Sequence, residues 1–600
     1  MAAIISDKFR IFNAKQFLES LTEGPSETST ERSRMYFFVG RPQPWRAYLE
    51  IYSKNATSFT EGDEVYTGTY GSTTFRATIA KVYDGALLLT DVFPTTTSTP
   101  GVGADLKCRT GGSGGSDTGA TAKAGVYRYA DENVPPLPLD NQSEKRALYD
   151  ELIAAKRINS AFARTVIRRY NWDLSANPAY DMWKPDYSDT PGGGGQIGKA
   201  GKTGATSIAD AKFYVMNSQY EVFKCLFNGD PSTNQNATEE PSVAGANYDA
   251  ATGLYTETTG NGDVWKYMYT IPTDDVLKFL SSDFMPIVLS TNASRQAVEA
   301  LAVDGAIDAV VVEDAGAGLP ASQTLYAGIK GDGAGGVVQL VTNGSGTITS
   351  ASIQARGSGY TYATVLLTNG NLFSDTSLST GVATPGGATG ALEAILPPPG
   401  GHGSDHETEL NGKRVMTNIR LTYDEGSGDF PVDNDFRRIG IIADPIDTGT
   451  STFAIDDTLS GLKALKITGA SADYNVDEEI TQPVTGGTAK GTVVSWTLDS
   501  GSTTNGVLKY IQTVDAHSDQ GVVRAFENNA QGSGVVTGLA STAAGTVAAY
   551  TGSSLGSDFT DGAAIAEISN NSGEVIYVEN RRLITRAPDQ IEDIKLVIEF

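Results

Sequence analysis

The chain predicts a mainly β protein: a discontinuous β-rich scaffold carrying three inserted small β regions and a few helices. Short runs with period-two alternation recur along it, bounded by glycine, proline or asparagine. Gly numbers 67 and charged residues make up only 19%, so turns are frequent and long solvated helices few. Scaffold-like sequence also returns after each glycine-rich stretch, the pattern left when small units enter at loop tips.

Residues 1–50 read as an N-terminal scaffold segment. A helix is expected from Asn13 to Leu21, with Leu18 and Leu21 on one face, followed by the strand Met35-Tyr36-Phe37-Phe38-Val39, ended by Gly40-Arg41-Pro42 and Pro44-Trp45. Residues 51–125 read as a small β domain with strands at Phe59–Val65, Ala77–Val82 and Gly85–Leu89, and its Thr110–Ala124 end reads as loop or linker.

Residues 140–290 form the central scaffold. A helix over Ser143–Arg168 follows from Leu148, Leu152 and Ala155 at spacings of four and three. Arg168-Arg169-Tyr170-Asn171-Trp172-Asp173 then leads into Pro178, Tyr180, Trp183, Pro185 and Tyr187, which suits either a structural corner or a partner-facing surface. Phe213–Asn217 and Tyr220–Leu226 suit a hairpin, and Asp263–Tyr269 alternates so that Trp265, Tyr267 and Tyr269 share one face.

A Gly-rich β insert occupies residues 298–400, with Leu372–Gly403 read as loops, and scaffold returns over 407–447. Residues 448–560 form a third small β domain related to the first: Tyr474–Ile480, Gly487–Val494 and Gly506–Tyr510 repeat its order. Residues 561–600 close the scaffold with strands around Val575 and Tyr577, then Ile594, Leu596 and Ile598.

Charge and motifs narrow the function. Acidic residues outnumber basic ones 71 to 45, and the net charge of -26 disfavours nucleic acid and anionic membranes as partners. No run of about 18 apolar residues occurs, so membrane insertion is not expected, and Asp7, Lys8 and Arg10 interrupt any signal-peptide core. Cys108 and Cys225 read as reduced core residues, with a single bridge between them the alternative. His402 and His406, spaced by four, read as exposed loop residues among glycines; Asp405 and Glu407 are the ligands they would need for a metal. Gly201–Gly204 lacks the phosphate-loop spacing, which leaves Lys199 and Lys202 as loop charges. The reading is therefore no catalytic residue, no cofactor and no metal.

Several scaffold words, in order, carry a resemblance. They are Ser6-Asp7-Lys8-Phe9-Arg10, Phe38-Val39-Gly40-Arg41 with Pro44-Trp45, Arg168-Arg169-Tyr170-Asn171-Trp172, Asp263-Val264-Trp265-Lys266-Tyr267, Phe436-Arg437-Arg438-Ile439 with Asp444-Pro445, Ser572–Tyr577, and Glu579-Asn580-Arg581 through Asp589-Gln590. Together they cover roughly 250 to 300 residues of scaffold. The chain thereby resembles the baseplate wedge subunit, gene-eight product type, of T-even-like contractile-tailed bacteriophages. The resemblance implies a non-enzymatic, homodimeric virion protein of the tail baseplate, assembled in the host cytoplasm. Its partners would be other wedge subunits and tail-fibre-proximal proteins, and it would help transmit the fibre signal that precedes sheath contraction. Arg41, Trp45, Arg169, Trp172, Trp265, Tyr267, Arg437, Tyr577 and Arg581 are the expected core-anchor or interface residues. The chain is nearly twice the family length, which puts the exact partner set in doubt. Two rivals stand beside this reading: a receptor- or glycan-binding tail protein using exposed aromatics such as Tyr360 and Tyr362, and a polysaccharide-degrading tail enzyme, which would need a long β-helix and a carboxylate pair.

Overall fold

A computed structural model describes residues 6–23, 33–71, 74–83, 85–93, 99–111, 114–173, 179–183, 203–205, 207–208, 210–229, 239–257, 262–368, 370–383, 388–421, 436–528, 534–582 and 592–600. Pro178, Pro185, Tyr187, Lys199 and Lys202 lie outside them. The protein is mainly β, 43% strand and 10% helix, with several sheets and barrels. It divides into two compact units, each assembled from separated stretches: residues 1–20, 160–418 and 595–600 in one, 21–159 and 419–594 in the other.

The first unit holds three antiparallel sheets. One has the order Tyr214–Met216, Glu221–Phe227, Val264–Thr270, Leu254–Thr256, Tyr248–Asp249. Its first two strands form the hairpin read from the sequence. The expected shared face of Trp265, Tyr267 and Tyr269 needs correction. Tyr267 pairs with Phe223 but Tyr269 with Val222, so a bulge at Met268 sends Tyr269 to the opposite face. Tyr269 accordingly packs with Met268, Val222 and Ile287, whereas Trp265 and Tyr267 pack with Phe223, Cys225 and Val298. All of these rings are buried, because the sheet is covered on both sides.

A four-stranded sheet in the same unit runs Phe284–Pro286, Ala163–Arg168, Arg414–Leu421, Glu592–Glu599. The helix Asp7–Ser20 contacts its Ala163–Arg168 strand and so begins earlier than the sequence predicted. The glycine-rich insert is a seven-stranded sheet wrapped on Leu325, Ala327, Val338, Leu340 and Tyr360. Ala391–Ile395, expected as loop, is one of its strands, because alternating Leu392 and Ala394 reach that core.

In the second unit a five-stranded sheet has the order Thr458–Ser460, Leu152–Ile158, Met35–Gly40, Arg438–Ala443, Glu574–Asn580. The helix predicted over Ser143–Arg168 stops at Asp150: Asn141 caps Gln142–Asp150, and the chain then becomes strand. The helix-favouring Ala154-Ala155-Lys156 is overruled by pairing with Phe37, Phe38 and Val39.

Two closed barrels complete the second unit. The first uses Ala47–Tyr52, Glu64–Thr67, Arg76–Tyr83, Ala86–Phe93, Asp105–Arg109 and Asp117–Arg128. Counted in chain order, these strands lie around the ring as one, four, three, two, five, six. The second uses Lys463–Thr468, Glu479–Val484, Gly487–Leu498, Gly506–Ile511, Val536–Gly538 and Ala544–Val547. It closes in the same order, one, four, three, two, five, six. Most of the Thr110–Ala124 stretch, expected as linker, belongs to the sixth strand of the first barrel. Ala120, Ala122 and Ala124 point into the barrel core, where small side chains leave room for Leu49, Ile79 and Leu106.

Candidate functional site

The expected anchor residues fall into two groups, one in each unit. In the second unit, Arg41, Trp45, Arg437 and Arg581 meet at the end of the five-stranded sheet. The Met35–Gly40 strand ends there because Gly40 lies against the Glu151 backbone, where a Cβ would sit 2.9 Å from the carbonyl oxygen. Arg41 follows with φ 54°, the left-handed region that only a well-fixed non-glycine residue holds. That turn places the Arg41 guanidinium 4.4 Å from the Trp45 ring centroid, with Arg438 at 5.6 Å.

Trp45 is 6% exposed, and its indole N–H donates to the Arg581 carbonyl at 2.7 Å. The Arg581 amide in turn donates to the Arg437 carbonyl at 2.7 Å. Carboxylates compensate the guanidinium cluster. Glu151 accepts from Arg41 and faces Arg438, Glu144 accepts from Arg438, and Glu132 accepts from Arg437 at 3.1 Å and from the Trp45 amide at 2.5 Å. Arg438 also donates to Asn580 at 2.9 Å, and Asn580 donates onward to the Pro136 carbonyl at 2.8 Å. Burial pulls the Arg438 pKa below its usual range, while Glu151 and Glu144 oppose that shift. Tyr577 lies two residues up the Glu574–Asn580 strand, half-buried, opposite Ile441, and donates to Glu579 at 3.0 Å.

The other group lies in the first unit. Trp172 stacks on Tyr180 at 5.1 Å and meets Trp265 edge-on at 6.0 Å; Tyr267 joins this cluster through Phe223 at 5.4 Å. Trp265 is fully buried and Trp172 partly so, which makes the group a core corner with one exposed edge. Arg169 stands apart from it, donating to Asn171 at 2.9 Å and to the Ser281 carbonyl at 2.8 Å.

The histidine reading requires correction. His402 and His406 are 1% and 0% exposed, because segment 402–409 folds into the unit instead of looping out. His402 Nδ1 lies 2.9 Å from Lys224 Nζ, which also pairs with Glu409 and sits 4.9 Å from the Trp183 ring centroid. Glu409 accepts from the Gly403 amide at 2.8 Å, closing the segment on itself. His406 Nε2 meets the Met268 carbonyl at 3.0 Å, at the bulge that reverses Tyr269. Asp405 caps the short helix His406–Glu409 and binds Lys15 at 2.8 Å, and Glu407 holds Arg295 in a two-point pair at 2.6 and 3.0 Å.

Burial, then the Lys224 charge, lowers the His402 pKa to about 4. Burial alone would raise Glu409, but Lys224 and His402 overcome it and hold the carboxylate well below its usual range. Lys266, cross-strand from Lys224, is brought to about 8 by burial, with Asp308 opposing. Among the described residues no group of three or more His, Cys, Asp or Glu is placed to hold a metal ion. The segment is a buried ionic latch.

Sequence reasoning missed Glu132, Glu144, Glu151 and Asn580 as members of the tryptophan node, and Lys224, His402 and Glu409 as a unit. Only the lysines gave a local signal: Lys224 and Lys266 each interrupt an otherwise apolar strand. Tyr360, expected exposed, is 3% exposed because its ring fills the space over Gly333, Gly336 and Gly357; Tyr362 is 61% exposed. Cys108 and Cys225 are buried thiols that are not joined to each other. No helix among the described residues is long and apolar enough to cross a membrane. No family model matches the chain, and no curated protein matches it.

Proposed function

We propose that the chain is a structural subunit of a phage tail baseplate wedge, working as a homodimer that links neighbouring wedge proteins. The observation that supports this reading best is convergence. Three of the sequence words that carry the resemblance, Gly40-Arg41 with Pro44-Trp45, Phe436-Arg437-Arg438 and Glu579-Asn580-Arg581, are up to about 540 residues apart, yet they form one hydrogen-bonded node. The node is rigid, charge-compensated and tied to three strands, which suits a part that passes on a displacement as a body. Fibre engagement would then reach the sheath through rearranged interfaces, without bond chemistry in this subunit.

Light scattering on the purified chain, paired with a glycan array, separates this reading from the receptor-binding one. A dimer that binds no glycan supports the wedge subunit. A trimer with saturable glycan binding replaces it with an adhesin.

A further inference from the structure

Between the first barrel and the helix Gln142–Asp150 the chain reads Val134-Pro135-Pro136-Leu137-Pro138-Leu139. Each proline fixes its own φ near −65° and disfavours the helical region for the residue before it, so Pro135 and Leu137 are extended, after a bend in which the Val134 amide donates to the Asp131 carbonyl at 3.1 Å. Three of the six positions lack an N–H, and the segment joins no sheet. What remains is a polyproline II rod with three residues per turn. Leu137, on one edge of the rod, is 87% exposed; Leu139, on the next edge, is 39% exposed.

Both ends of the rod are fixed. At one end the Asp131 carboxylate accepts from the amides of Asn133 and Val134 at 2.8 and 2.7 Å, and Glu132 is bound by Trp45 and Arg437. In the middle Asn580 grips the Pro136 carbonyl at 2.8 Å, and at the far end Asn141 caps the following helix. The ordering entropy of the rod is therefore lost on folding rather than on binding.

We infer that this rod is a recognition strip for a second protein whose groove is walled by parallel Trp or Tyr rings. Rings of that kind take a polyproline II edge by stacking on proline and leucine faces, without needing backbone N–H groups from the ligand. Asp140, whose side chain is 97% exposed and lies 4.0 Å from Lys145, stands at the end of the rod. Through Glu132 and Asn580 the strip is joined by hydrogen bonds to the Trp45 node. The inference rests on the strip alone and holds whether or not the chain is a wedge subunit.

The first test is calorimetric titration of the full chain with a WW domain of the class that reads Pro-Pro-Leu-Pro, a generic aromatic groove. Saturable one-to-one binding is expected, weakened at least about tenfold by Leu137→Asp. Val102→Asp, at a 76% exposed position in the first barrel, should leave it unchanged. Absence of saturation at about 1 mM overturns the inference, as does binding that Leu137→Asp leaves intact. The second test places a benzophenone side chain at position 137 of the full chain in the cells that produce it. A cross-link to a Trp- or Tyr-bearing peptide of a different polypeptide supports the assignment, and a cross-link to a second copy of this chain overturns it.

Discussion

Trp45 is held at its ring by Arg41 from the same turn, and at its indole N–H and backbone amide by Arg581 and Glu132 from distant parts of the sequence. Trp45→Phe keeps most of the ring but leaves the Arg581 carbonyl without its donor, so the second unit should lose about 1–3 kcal/mol in urea unfolding. The latch gives a pH prediction. His402 in the latch and His517, buried 2.8 Å from the Thr492 hydroxyl in the second unit, both have native pKa values of about 4, lowered first by burial, against 6.5 when unfolded. Between those values the unfolded chain binds protons that the native chain does not. Stability is therefore fully present above pH 6.5 and falls as pH drops toward 4. Thermal unfolding from pH 8 to 4 should show this slope, and His402→Gln should flatten the part belonging to the first unit. Little of this was legible in the sequence. The i,i+4 spacing of His402 and His406 was visible, but glycines at 401 and 403 argued for an exposed loop, and the lysine that buries with them lies 178 residues away.

At the scale of elements, alternation and turn chemistry identified strands such as Met35–Gly40, Glu221–Phe227 and Val264–Thr270, while tertiary pairing decided many others. Leu152–Ile158 carries a helical sequence yet is a strand, because Met35–Gly40 offers it a buried ladder. The bulge at Met268 left no mark on the alternating run, since it is defined only by the register against the neighbouring strand. The repeat between the two small β regions was visible as a recurring order of glycines and apolar runs. Its physical content, one shared ring order, depends on pairings between strands far apart in each barrel. Barrel closure also makes a prediction. Tyr48 in the first strand pairs with Arg128 in the sixth, so the barrel's entry and exit adjoin. Replacing residues 49–127 by a short Gly-Ser linker should leave the five-stranded sheet folded, with circular dichroism losing only the barrel's strand signal. Loss of cooperative unfolding would show instead that the barrel is part of the sheet's core.

For the whole molecule, the net charge is -26 and each of the two units is assembled from separated stretches of the chain. The scaffold words were readable in sequence order, but nothing in that order revealed that Arg41, Trp45, Arg437 and Arg581 occupy one node. The central claim is that the chain belongs to a baseplate wedge. The most direct measurement is a cryo-electron reconstruction of intact virions with this chain traced in the density. Paired copies within each wedge, packed between other wedge proteins, are the predicted result. Density for the chain only at the tips of the fibres would contradict the account and make the protein a receptor binder.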